Sequence, residues 1–141
     1  MDKILIDTDV ILDFFFDREP SSEDSAKILT WCEVGEVQGF VTPVIFSNCY
    51  YLLRKNSTHE KVIEKLKQLI SIIDVLIIDK EIVVQALNSE FDDFEDALQN
   101  FSAIRSNKIT IIITSNFKDY KNSDLAVFTP ANFVKNKIFI N

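Results

Sequence analysis

Carboxylates are the residues of this chain best placed to do chemistry. Asp7 closes the apolar run Ile4 to Ile6 and is followed by Asp9. Asp92, Asp93 and Asp96 crowd the start of a helical pattern that continues through Ala97, Leu98, Phe101 and Ile104, and Asp119 follows the apolar run ending at Ile113. Asp93 and Asp96 are i, i+3 neighbours and Asp92 and Asp96 are i, i+4, so two carboxylates share one edge of that helix. An aspartate at the end of a buried strand needs a partner to offset its desolvation, and no Arg or Lys follows Asp7 closely. Three carboxylates around one point, at about 5 Å and an effective dielectric of about 20, repel by roughly 3 kcal/mol per pair unless protons or a cation intervene. Hard oxygen donors without histidine suit Mg²⁺ or Mn²⁺. Each acid also has a plainer use. Asp92 or Asp93 can cap the helix, Asp9 can close an Asx turn, and Asp13 and Asp17 can be solvated.

Composition removes other chemistries. The two glycines, Gly35 and Gly39, stand apart, so no phosphate-cradling loop can form and nucleotide fingerprints are absent. Cys32 and Cys49 lie in apolar helical contexts without CxxC spacing, and His59 is the single histidine, which argues against zinc sites, thiol redox chemistry and a Ser-His-Asp triad. They read as two reduced core thiols and an exposed loop imidazole. The net charge of −7 opposes a broad duplex-binding surface, but a divalent-metal nuclease needs a carboxylate pocket, so the overall sign does not exclude nucleic acid. The opening Met1-Asp2-Lys3 precedes only a short apolar run, and no apolar span approaches the roughly 20 residues of a membrane helix, so a soluble cytoplasmic protein with no membrane partner is expected.

The elements that must position the acids follow from periodicity. Ile4 to Ile6 reads as a buried strand, followed by the apolar stretch Val10 to Phe16. Ser21, with Asp24 in capping-box position, opens a helix running to about Gly35. Phe40-Val41 reads as a second strand, and Thr42-Pro43 supplies N-cap and N1 for a helix through Asn48, Cys49 and Leu53, with Arg54 and Lys55 at its end. Beyond the polar loop 56–59, Val62, Ile63, Leu66, Leu69, Ile70 and Ile73 keep a 3.6 period. Val75 to Ile78 reads as a continuous buried strand, Glu81 to Leu87 as a helix, and Ile109 to Ile113 as an all-apolar strand ending at Thr114. Ala126 to Phe128 is a last strand before the helix opened by Thr129-Pro130. Apolar strands alternating with helices predict an α/β fold, one domain over residues 1–141, with a mostly parallel sheet covered on both faces. In such sheets functional groups gather beyond the carboxyl ends of the strands, where these acids lie.

Three segments in order carry a family resemblance: Ile4 to Asp13 with its Asp-Thr-Asp, Asp93-Phe94-Glu95-Asp96-Ala97-Leu98-Gln99, and Ile113-Thr114-Ser115-Asn116-Phe117-Lys118-Asp119-Tyr120. Together they resemble the PIN-domain family of small metal-dependent ribonucleases, many of them VapC-type toxins of toxin-antitoxin pairs. The resemblance implies a Rossmann-like three-layer α/β/α sandwich whose acids hold one or two Mg²⁺ or Mn²⁺ ions. The family's first metal-binding aspartate falls on Asp7 and its third acid on Asp96, with Asp93 beside it. Where the family commonly has a glutamate on the second helix this chain has Asn48. At the fourth acidic position, past Thr114, it has Asn116, and Asp119 can supply that charge. These two departures imply weakened metal binding. Asp9, Asn48, Thr114 and Asn116 then support the site, and Lys118, Lys121, Arg54 and Lys55 are candidate RNA contacts at its rim.

The expected function is metal-dependent cleavage of single-stranded RNA, with a small antitoxin and a second copy of the chain as further partners. Two alternatives remain. Asn48 and Asn116 would permit a non-catalytic PIN-like module that binds RNA or an antitoxin. Asp7-Thr8-Asp9-Val10-Ile11 also resembles the opening motif of haloacid-dehalogenase-like phosphatases, though that reading needs a lysine and an acidic pair after Thr114.

Overall fold

In the computed structural model, which describes residues 1–140, five parallel strands form one sheet in the order β3-β2-β1-β4-β5. They are β1 (Asp2–Ile6), β2 (Val37–Val41), β3 (Asp74–Val75), β4 (Ile111–Ile113) and β5 (Ala126–Phe128). Seven helices flank them: α1 (Thr8–Phe15), α2 (Ser22–Val34), α3 (Pro43–Arg54), α4 (His59–Ile70), α5 (Lys80–Leu87), α6 (Phe94–Ser106) and α7 (Pro130–Ile140). The expected parallel α/β sandwich is therefore the one observed.

The central strand β1 is apolar because both of its faces are covered. Ile4, Leu5 and Ile6 are all fully buried, and Ile112 and Ile113 of β4 lie beside them. The register pairs Ile4 with Gly39 on one side and Ile6 with Ile113 on the other. Gly39 is required by close approach: a Cβ there would sit 2.7 Å from Cys32 Sγ and 3.1 Å from Ile6 Cδ1. Cys32 and Cys49 are free and buried, and burial pushes both thiols up to about 12, so they serve as packing groups. A second small apolar cluster, Ile82, Ala86, Ala97 and Leu98, joins α5 to α6.

Because all strands run the same way, Asp7, Thr42, Thr114 and Thr129 emerge together at one edge. The chain leaves β1 for β2 on one side and reaches β4 on the other, so the switch in strand order opens a crevice between β1 and β4. That crevice is where the candidate acids gather.

Four local expectations are corrected. The run Val75 to Ile78 forms only the two-residue strand β3 at the sheet edge, paired to β2 alone, with Val75 and Ile77 exposed. The strand expected from Ile109 starts at Ile111. Ser21 occupies the cap position of α2 but makes no capping hydrogen bond, because its backbone is already helical. His59 is the first residue of α4, capped by Thr58, with its Nδ1 2.8 Å from the Tyr50 hydroxyl, so it is not a loop residue. No helix of the described residues is long and apolar enough to cross a membrane.

Candidate functional site

The switch point leads into an open cleft of about 590 Å³, lined by Asp7, Asp9, Asp93, Asp96, Asp119, Asn48 and Asn116. Three chain segments bring these together. Asp7 ends β1 and caps α1, its Oδ1 accepting from the Thr8 amide at 2.9 Å. Its other oxygen accepts from the Thr114 hydroxyl at 3.0 Å, which fixes the carboxylate across the β1–β4 junction. Thr114 is fully buried and also accepts from the Asn116 amide at 3.2 Å, so it braces the loop that carries Asn116 and Asp119. Asp93 caps α6 through the Asp96 amide at 3.0 Å, which sets Asp96 in the first turn, turned toward Asp7.

Burial raises the carboxyl of Asp7 above the ordinary range, opposed by the Thr8, Thr114 and Tyr120 donors, while the Asp119 charge adds to the rise. Burial and the neighbouring Asp7 charge push Asp9 up to about 7. Burial, then Asp7, Asp93 and Asp119, push Asp96 up to about 7. The cleft thus holds more negative charge than its desolvated surroundings accept. One oxygen of Asp9 is buried without a hydrogen-bond partner, and the other is 3.4 Å from Asn116 Nδ2. Tyr120, 1% exposed, has a hydroxyl with no partner in strict hydrogen-bond geometry, yet it lies near enough to Asp7 and Asp96 to favour their charged forms. Burial and these two carboxylates drive its phenol far above its ordinary value, so it can act there only as a proton donor.

Glu95 and Arg18 also line the cleft, and sequence reasoning did not single out either as a site residue. Asn48 Nδ2 donates to Glu95 Oε2 at 2.9 Å, so the amide on α3 holds a carboxylate supplied by α6. The two helices are tied behind this contact by the buried pair Thr42 Oγ1 and Gln99 Oε1, at 2.5 Å. Glu95 stood between Asp93 and Asp96 in the sequence, but only the approach of α3 to α6 gives it meaning. Arg18 lies beyond the end of α1, paired to Asp13 with Nε 2.9 Å from Oδ1; Asp13 is therefore an ion-pair partner and not a solvated acid.

The basic residues expected at the rim stand outside the lining of the cleft. Arg54 donates to the Ser57 carbonyl at 2.9 Å, Lys121 is 3.9 Å from Asp92, Lys55 lies over the ring of Tyr51, and Lys118 is exposed on a short 3-10 turn, Phe117–Tyr120. Tyr51, over whose ring Lys55 lies, does line the cleft.

Among the described residues, no group of three or more His, Cys, Asp or Glu side chains is drawn together so as to hold a metal ion by itself. The donor set nonetheless fits a hydrated Mg²⁺ or Mn²⁺, which takes one or two carboxylates and completes its shell with water and substrate phosphate. Only oxygen donors are present, Asp9 has an orphaned buried oxygen, and the raised carboxyls of Asp7, Asp9 and Asp96 are the ones a cation would return to their charged form.

Residues 3–118 match the PIN domain family. Over 137 residues the chain is 24% identical to Ribonuclease VapC1 of Aquifex aeolicus (strain VF5), an alignment covering 94% of this chain and 93% of that protein. Among solved structures, the VapBC2 complex from Rickettsia felis bound to a promoter DNA fragment has a TM-score of 0.67 at 15% identity, covering 90% of this chain and 98% of the other. A toxin-antitoxin complex from Klebsiella pneumoniae gives 0.66 at 19% identity, covering 90% and 97%. Both structural likenesses bear on the fold.

Proposed function

The chain belongs to the PIN-domain family, and from that premise we propose that it is a metal-dependent endoribonuclease cutting single-stranded RNA as the toxin of a toxin-antitoxin pair. The observation that carries this reading is the convergence of Asp7, Asp9, Asp93, Asp96 and Asp119 on one cleft at the carboxyl edge of the sheet, with Asp9 and Asp96 pushed to about 7. A small antitoxin protein is the partner this reading adds, supported by the complexes the fold resembles; a second copy of the chain is proposed from the family resemblance alone.

In this mechanism Asp7 and Asp96 would hold a Mg²⁺ or Mn²⁺ ion, and Asp93, Asp9 and Asp119 would add charge around it. When bound, the cation supplies Lewis acidity at the phosphodiester and lowers the pKa of attacking water. Thr114 holds Asp7 in one rotamer, so the carboxylate is oriented before substrate arrives. Tyr120 offers its hydroxyl proton to whichever of Asp7 and Asp96 is ionised. The phosphatase alternative finds less support, because the dense acids come from α6, ahead of Thr114, and the Thr114 hydroxyl is committed to Asp7.

The test is digestion of single-stranded RNA by the purified chain in Mn²⁺, in Mg²⁺ and in EDTA, with Asp7→Asn and Asp96→Asn controls. Cleavage confined to the metal conditions and lost in both variants is expected. Cleavage that persists in EDTA or survives either substitution sinks the assignment. Binding of RNA without any cleavage would favour the non-catalytic module that Asn48 and Asn116 permit.

A further inference from the structure

We infer that Arg18 binds a backbone phosphate of the RNA strand next to the one being cut, an inference that rests on the nuclease reading and extends it to how the strand is seated. The cleft presents Asp7, Asp9, Asp93, Glu95, Asp96 and Asp119, and Arg18 is the one cationic side chain among its described lining residues. A polyanionic strand entering such a cleft needs a positive group away from the reacting phosphate, since the carboxylates repel every other phosphate that comes near.

The local fold places that group deliberately with respect to the chain's geometry. Helix α1 ends at Phe15 with Phe16 as its C-cap, and Asp17 adopts a left-handed backbone with φ 51, a conformation aspartate tolerates better than most residues. The chain therefore turns back, and the Arg18 amide donates to the Asp13 carbonyl at 2.9 Å. The side chain is then held on two sides. Its Nε is 2.9 Å from Asp13 Oδ1, and its guanidinium lies 5.4 Å from the centre of the Phe16 ring. Asp13, on α1, is itself only 14% exposed in its side chain and accepts from the Ser115 hydroxyl at 3.5 Å, so the anchor touches the loop after β4 that carries Asn116 and Asp119.

This arrangement goes further than a surface ion pair requires. The close contact to Asp13 runs through Nε, and no second carboxylate among the described residues lies within ion-pair distance of Arg18. The terminal nitrogens, Nη1 and Nη2, form the edge that matches two phosphate oxygens at once. With its side chain 49% exposed at the mouth of the cleft, the guanidinium is pre-oriented and accessible together. Of the other basic side chains considered above, Arg54 is spent on a carbonyl, Lys121 is loosely paired to an exposed aspartate, and Lys55 and Lys118 stand outside the lining and lack a planar fork.

The experiment measures binding and cleavage on one probe, a short fluorescein-labelled single-stranded RNA, with wild type, Arg18→Ala and Arg18→Lys. Anisotropy in Ca²⁺ across a salt series gives affinity and its salt slope; steady-state cleavage in Mn²⁺ gives kcat and KM; the Mn²⁺-induced rise in melting temperature reports the acidic cluster separately. Arg18→Ala is expected to bind about tenfold more weakly with a salt slope shallower by about 0.7, the share of one phosphate contact on a single strand. Its KM should rise while kcat and the Mn²⁺ shift stay near wild type, and Arg18→Lys should recover the salt slope but only part of the affinity. Equal affinities and slopes for wild type and Arg18→Ala overturn the inference and leave the nuclease reading standing, as does a Mn²⁺ shift that falls in step with RNA affinity. A wild type that binds the strand without cutting it fails the nuclease reading alone, and one that does not bind it fails both.

Discussion

Replacing Asn48 with glutamate tests how the cleft balances its charge. In the native chain the Asn48 amide donates to Glu95 Oε2 at 2.9 Å, a charge-assisted bond between α3 and α6. Asn48→Glu removes the donor and sets two carboxylates about 4 Å apart, an interaction of ~4 kcal/mol at an effective dielectric of 20 and ~1 kcal/mol in water. Glu95 is exposed and Asn48 half-buried, so the repulsion falls between these limits, and with the lost hydrogen bond a cost of about 2–3 kcal/mol follows. For a chain of this size that lowers the melting temperature by roughly 5–10 °C in EDTA. A cation in the cleft relieves the repulsion, so the variant should gain more from Mn²⁺ than wild type and cleave RNA at lower metal concentration. The double variant Asn48→Glu/Glu95→Gln restores a donor facing an acceptor with the charge moved from α6 to α3, and should recover most of the stability lost in EDTA. Scanning calorimetry over a Mn²⁺ titration, for wild type, both single variants and the double, yields the coupling between the two positions. Equal melting of Asn48→Glu and wild type in EDTA, with unchanged metal dependence, would refute the placement of position 48 in the charged cleft.

Three further outcomes can be measured on the same material. The carboxyls of Asp9 and Asp96 are raised to about 7, so between pH 4 and 7 the folded state binds more protons than the unfolded one. Stability of the metal-free protein should therefore fall as pH rises through that window, by several degrees in melting temperature, and Mn²⁺ should flatten the profile; a metal-free profile that rises from pH 5 to 8 contradicts the shared burden of charge. Thr114→Val removes the hydroxyl that donates to Asp7 and accepts from the Asn116 amide, at a cost of about 1–3 kcal/mol in chemical denaturation, with a large loss of cleavage expected from the freed Asp7 rotamer. Gly39→Ala forces a Cβ to 2.7 Å from Cys32 Sγ and should destabilise by about 1–3 kcal/mol without altering the metal response; a stable variant would mean that α2 shifts freely on the sheet.

Much of the frame was legible in the residues. Continuous apolar runs such as Ile4 to Ile6 and Ile111 to Ile113 can be satisfied only by strands covered on both faces, and Thr42-Pro43 announces a helix start by cap chemistry that acts within three residues. Caps and apolar periods are local, so sequence determines them without knowledge of what packs where. The edge strand was misread for the same reason: Val75 to Ile78 has a strand's composition, but whether it is covered depends on its neighbours, and at the sheet edge β2 is the one strand beside it.

The acids show the same division more sharply. That Asp7 had to be exceptional followed from its position at the end of a buried run, since desolvation of a carboxylate is costly wherever the chain goes. Which acids it meets was a tertiary matter, decided when the strand order placed β4 beside β1 and so brought the Thr114 hydroxyl to Asp7 and the Asp119 charge near it, while the Asp93 cap set Asp96 into the same cleft. Glu95 opposite Asn48, the Tyr120 hydroxyl between two carboxyls, and Arg18 folded back onto Asp13 carry no signal in linear spacing. Their partners are separated along the chain or reached through a left-handed turn, and charges and hydrogen bonds act over a few ångströms of space, a distance that only packing sets.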